Sequence, residues 1–198
     1  MAVATAVPSG SRPSRGWAAY AACAWAAAYA IGVRGYHGLG GTVGLPGVLE
    51  DPAAVRRASL AAGAAILLAG LGCLALVRPW GLRLPRRLVV VTALAGAVIA
   101  VTHALIAYVS KPLHLLGAID LEFKGWIEID ETEAILWDLL FYEPWFLGLG
   151  VLVTIAAGHH HRRAGGGEHE WRRLLIGAAG VTAVWAAVSC VQLALGWP

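Results

Sequence analysis

Glu143 is the residue with the most chemistry in it. It lies nine residues into the apolar run Ala134-Ile135-Leu136-Trp137-Asp138-Leu139-Leu140-Phe141-Tyr142-Glu143-Pro144-Trp145-Phe146, or about 13 Å along a helix at about 1.5 Å per residue. An ionisable group at that depth in an apolar helix is costly and ordinarily faces a partner or a wet cavity. Pro144 removes a backbone donor and frees a carbonyl one turn earlier, a known cause of kinks. Trp137, Phe141, Tyr142, Trp145 and Phe146 ring the carboxyl, and such surroundings favour its protonated form. The chemistry these parts suit is general acid–base catalysis on an apolar molecule, with Glu143 as proton donor or base. A structural glutamate bonded to a neighbouring helix is the competing expectation.

Depth along the chain nominates the partners. His103 sits at a level close to that of Glu143, and Arg34 and His37 lie level with Asp138. A His103–Glu143 contact and an Arg34–Asp138 ion pair are both geometrically allowed. The expected catalytic set is therefore Glu143, Asp138 and His103. Trp137, Tyr142, Trp145, Phe141, Tyr108, Arg34 and His37 are expected to bind substrate, the aromatic faces stabilising a developing cation.

The elements that must position these groups follow from composition. Of 198 residues, 59% are apolar and 14% charged, against about 45–50% and about 25% in soluble domains. Too few charged groups are present to cover a water-soluble surface, which excludes an ordinary soluble enzyme as well as disordered and collagen-like chains. A membrane span needs about 20 mostly apolar residues. Five stretches qualify, at about 17–37, 58–77, 88–109, 134–157 and 174–197. Backbone groups in lipid must bond within their own segment, so each is expected to be helical. The expected fold is all-α, a single bundle of five transmembrane helices over residues 17–198, preceded by a disordered cytoplasmic tail over residues 1–16. The first span is read as retained rather than as a cleaved leader, because it begins late and continues through Arg34. Gly63, Gly70 and Gly72 allow close packing of the second span.

Charges in the connections set an orientation. Thirteen of the 15 cations are arginine. Ten fall in the tail and in the second-to-third and fourth-to-fifth connections, and five (Arg34, Arg56, Arg57, Lys111 and Lys124) on the opposite side. The positive-inside rule then puts the N-terminus in the cytoplasm of a bacterial inner membrane and the C-terminus outside. The outer connection from Ser110 to about Glu133 interleaves Asp120, Glu122, Glu128, Asp130, Glu131 and Glu133 with Leu121, Phe123, Trp126, Ile127 and Ile129. That acidic amphipathic pattern suits a lid over the span ends or a solvated surface loop. His159, His160 and His161, followed by Gly165, Gly166 and Gly167, read as a flexible, solvated basic loop rather than a metal site. Cys23, Cys73 and Cys190 stand alone in apolar runs and read as buried small hydrophobes.

Three motif groups carry a family likeness. They are the run from Gly35-Tyr36-His37-Gly38 to Leu45-Pro46-Gly47, the pair Arg78-Pro79-Trp80-Gly81 and Leu84-Pro85-Arg86-Arg87, and the Trp137-Asp138-Leu139-Leu140 to Glu143-Pro144-Trp145-Phe146 run. Over roughly residues 17 to 160 the chain resembles the bacterial membrane family known as domain of unknown function 3995. The resemblance implies a small multi-span protein and no particular activity.

The chain has neither a glycine-rich phosphate loop followed by Lys nor an H-E-x-x-H pair, so no metal or cofactor is expected, and no nucleic-acid partner. Proton-initiated cyclisation or isomerisation of a lipophilic, isoprenoid-like molecule needs none. The alternative expectation is a non-catalytic accessory or binding subunit of a membrane complex, or a homo-oligomer.

Overall fold

A computed structural model describes residues 16–195. The expected tail over residues 1–16 therefore lies, apart from Gly16, outside the described residues, as does the end of the fifth expected span. The chain runs as α1 (Trp17–Ala28), a π-helical stretch Tyr29–Gly35, α2 (Tyr36–Gly38), β1 (Gly47–Leu49) and α3 (Pro52–Gly72). Two 3-10 turns follow, Cys73–Leu76 and Pro79–Arg83. Then come α4 (Arg86–Leu115), β2 (Trp126–Ile129), α5 (Glu131–Trp137), a second π-helical stretch Asp138–Tyr142, α6 (Glu143–Arg163) and α7 (Glu168–Ala194).

Among the described residues, four helical runs are long and apolar enough to cross a membrane: Pro52–Leu76, Arg86–Leu115, Glu131–Arg163 and Glu168–Ala194. The run from Trp17 to Gly38 is Ala-rich, widened by its π stretch and carries Arg34 near its end. It is packed between α3 and α6, whereas α4 packs against α6 and α7. Ala18, Ala19 and Ala22 of α1 join Val90, Leu94, Val153, Ala156 and Trp171 in the core. Small residues bring the helices close. A side chain at Gly150 would meet the Ala97 carbonyl oxygen at 3.1 Å, and one at Gly70 would meet the Ala26 Cβ at 2.6 Å. In lipid, where burial of apolar surface gives no drive, such close backbone packing is what holds helices together. None of the apolar window of α7 is buried within the protein, as suits a helix whose outer face meets lipid.

Three expectations are corrected by the structure. First, the chain is not wholly helical outside its turns: β1 and β2 pair antiparallel, with Gly47 opposite Ile129 and Val48 opposite Glu128. Trp126–Ile129 shows no period-2 burial, and it forms a strand because β1 offers an edge to it. Gly47 has φ +154°, and a Cβ there would lie 2.2 Å from the Glu128 carbonyl oxygen, so the two strands approach as only glycine permits. Second, α4 extends past Val109 to Leu115 and runs through Pro112. Third, His159–Arg163 form the last turn of α6 instead of a flexible loop. His160 donates through Nδ1 to the Leu76 carbonyl at 3.3 Å, and His161 through Nε2 to the Gly167 carbonyl at 3.1 Å. Cationic and donor side chains at a helix C-terminus also favour its dipole.

Candidate functional site

Both π-helical stretches border one cavity. In a π turn, residues five apart share a side of the helix, where an α-helix would align residues three or four apart. The stretch Asp138–Tyr142 thereby turns Asp138 and Glu143 to the same side, and Glu143 N–H donates to the Asp138 carbonyl. Pro144 accounts for the widening. Without an N–H it can close neither an α nor a π bond to the turn behind it. The freed Leu139 carbonyl is taken instead by the Tyr108 hydroxyl at 3.1 Å. The other π stretch aligns Tyr29 with Arg34, whose guanidinium lies over the Tyr29 ring at 5.4 Å.

The cavity holds about 200 Å³ and is lined by residues of the first helical run, α4, the α5–α6 run and both strand-bearing connections. Glu143 is the buried acid within it, with a side chain 3% exposed. Its Oε1 lies 3.4 Å from His103 Nε2 and 3.8 Å from Lys111 Nζ. Its Oε2 is buried with no hydrogen-bond partner among the described residues, and so is Arg34 Nε. Asp138 pairs with Lys111 and not with Arg34. The ion pair expected between Arg34 and Asp138 is thus replaced by one with Lys111. The His103 side chain is 56% exposed and packs against the Phe146 ring at 4.5 Å, which puts it at the cavity's edge.

The two strand-bearing connections cover the end of the cavity away from the α6 C-terminus. The β1–β2 pair is extended by Glu50 N–H to the Gly125 carbonyl and Asp130 N–H to the Pro46 carbonyl, each 3.0 Å. Three helix side chains grip the connection from Leu39 to Pro46. His37 Nε2 reaches the Val43 carbonyl at 3.0 Å, the Tyr36 hydroxyl accepts from Val43 N–H at 3.3 Å, and the Tyr142 hydroxyl donates to the Gly44 carbonyl at 3.3 Å. On the far side, the Leu121 N–H donates to His114 Nδ1, so His114 Nε2 carries the proton it gives to Glu131 at 3.1 Å. One acid in each of the two connections is structural: Asp130 caps α5 and Asp51 caps α3.

Of the residues nominated from sequence, Glu143, Asp138, His103, Arg34, His37 and Tyr142 line the cavity together. Trp137, Phe141, Trp145 and Tyr108 do not. Trp137 and Phe141 stack edge-on beside Tyr142, Trp145 packs on Trp25 at 4.4 Å, and Tyr108 is spent on Leu139. The aromatic lining comes instead from Tyr142 and Phe146 with Phe123 and Trp126 of the lid. Lys111 was hidden from a sequence reading that ended the helix at Val109. Its place eight residues after His103 on one continuous helix is the signal that would have found it.

A family model described as "Protein of unknown function (DUF3995)" matches residues 30–153, a stretch that contains every residue of the cavity. No curated protein and no solved structure matches the chain.

Proposed function

The chain belongs to this family, DUF3995, and on that premise we propose a membrane-embedded enzyme in which Glu143 does acid–base chemistry on the reacting end of a lipophilic, isoprenoid-like molecule. One observation carries the reading: Glu143 Oε2 is buried and unpartnered among the described residues, in a lidded cavity, while Oε1 is held by His103 and Lys111. A purely structural carboxylate would be expected to spend both oxygens. The cavity's 200 Å³ is below the roughly 300–1,000 Å³ of sites that enclose a whole drug-sized ligand. It suits the terminal unit of a longer chain whose remainder stays in the bilayer.

The step balances without cofactor chemistry. The O–H bond of the Glu143 carboxyl breaks, and its proton forms a C–H bond with one alkene carbon, using the alkene's electron pair. Positive charge develops on the neighbouring carbon, opposite the rings of Tyr142, Phe146 and Trp126, whose faces stabilise it. His103 and the Lys111–Asp138 pair hold the carboxylate that forms. A proton then returns to Glu143 from an adjacent carbon, directly or after ring closure, and the product is an isomer of the substrate. The proposal includes a bacterial inner-membrane location and a cytoplasmic N-terminus. It also makes the Trp17–Gly38 run a fifth span, because that orientation puts ten of the 15 cations inside.

The test compares lipid extracts of membranes carrying wild-type protein with those carrying Glu143→Gln. The expected result is two equal-mass species separable by chromatography in the wild-type extract, only one of which remains in the variant although its helical content is unchanged. The accessory-subunit alternative predicts identical extracts and a partner protein that stays bound to both forms in mild detergent.

A further inference from the structure

At the end of the molecule away from the lid, a groove of about 680 Å³ opens between the head of α1, the turn after α3 and the last turn of α6. Its walls are Gly16, Leu76, Val77, His159, Arg162 and Arg163. We propose that this groove binds a phosphate group at the bilayer surface, carried on an anionic phospholipid or free in solution.

Four observations converge. Among the described residues, the lining contains two guanidinium groups and no Asp or Glu. Arg163 anchors one nitrogen on the Val77 carbonyl at 2.5 Å, which orients the guanidinium and leaves further N–H donors in a planar fork suited to phosphate oxygens. His159 Nδ1 is buried without a hydrogen-bond partner among the described residues. The capping position of α1 is Gly16, which offers no side chain to the helix's first amides, and the positive end of a helix dipole favours an anion. Helix polarity alone would explain basic residues at the end of α6. It would not explain why a concave site is left among them. Because the groove is built from helix ends, it lies at the level of lipid phosphates, where basic pockets between spans recognise anionic head groups.

The experiment uses the full chain in an uncharged detergent. Dioleoyl phosphatidylglycerol, dioleoyl phosphatidylcholine and inorganic phosphate at matched ionic strength are the probes. Lipid retention by native mass spectrometry and thermal unfolding are the readouts. Retention of the anionic over the zwitterionic lipid, with no effect of inorganic phosphate, supports a lipid head group. A rise in unfolding temperature with phosphate, without lipid preference, supports a free phosphate. In either case Arg162→Gln weakens the effect about fivefold, as the loss of one surface cation predicts, while Arg162→Lys keeps most of it. Arg172→Gln, a cation of α7 outside the groove, leaves it unchanged. Equal retention of both lipids with no response to phosphate overturns the proposal. So does an equal loss in the Arg162 and Arg172 variants.

Discussion

Lys111 joins the two carboxylates of the cavity. It pairs with Asp138 and approaches Glu143 to 3.8 Å, with a side chain only 17% exposed. Removing it leaves two acids side by side in a place where water screens them poorly. Lys111→Ala should therefore destabilise the protein by about 2 kcal/mol, below the range for a fully buried pair because Asp138 is partly solvated. Double replacement with Asp138→Asn should recover most of the loss, as read by unfolding in detergent. Lack of recovery would mean that the two residues do not act as a pair. A milder effect is expected at Tyr108. Tyr108→Phe leaves the Leu139 carbonyl without its donor and should cost about 1 kcal/mol.

Helix widening explains which site residues could be read from the chain. Glu143, Asp138 and His103 were legible because charge at depth in an apolar run is rare whatever the exact geometry. Their angular relation was not, since α periodicity does not bring residues 138 and 143 to one side and only the π turn at Pro144 does. Closeness to Glu143 along the chain nominates Trp137, Phe141 and Trp145; at about 100° per residue they fall on the opposite face of the helix, away from the cavity. Pro144→Ala restores an N–H and lets the turn tighten. It should leave stability equal or higher while removing turnover, because Asp138 and Glu143 would part; a fully active variant would show that the π turn is incidental. The lid was half legible. Its acids and aromatics marked it as amphipathic, but strand pairing between residues 47–49 and 126–129 joins segments about eighty residues apart and leaves no local trace. Gly47→Ala should break that pairing through the clash with the Glu128 carbonyl. Faster amide exchange at Glu50 and Asp130 is the measurement, with unchanged protection there as the contrary result.

At the scale of the molecule, composition alone marks a membrane protein, and four long apolar helices agree with it. On the proposed reading the chain divides its work between two ends: the cavity around Glu143 at one, and the arginine-lined groove at the other. That division predicts that cysteines placed at Gly117 and Gly165, both at exposed turns, react with an impermeant thiol reagent from opposite faces of the membrane. Labelling of both from one face would contradict the arrangement of spans. Everything about activity turns on whether the proton of Glu143 reaches carbon. Incubating the wild-type protein with membrane lipids in deuterium oxide and recording product masses asks this directly. Transfer from the carboxyl should leave one non-exchangeable deuterium in each product molecule, and none where Glu143→Gln replaces the wild type. A product without deuterium, or one labelled equally by the variant, would contradict the account.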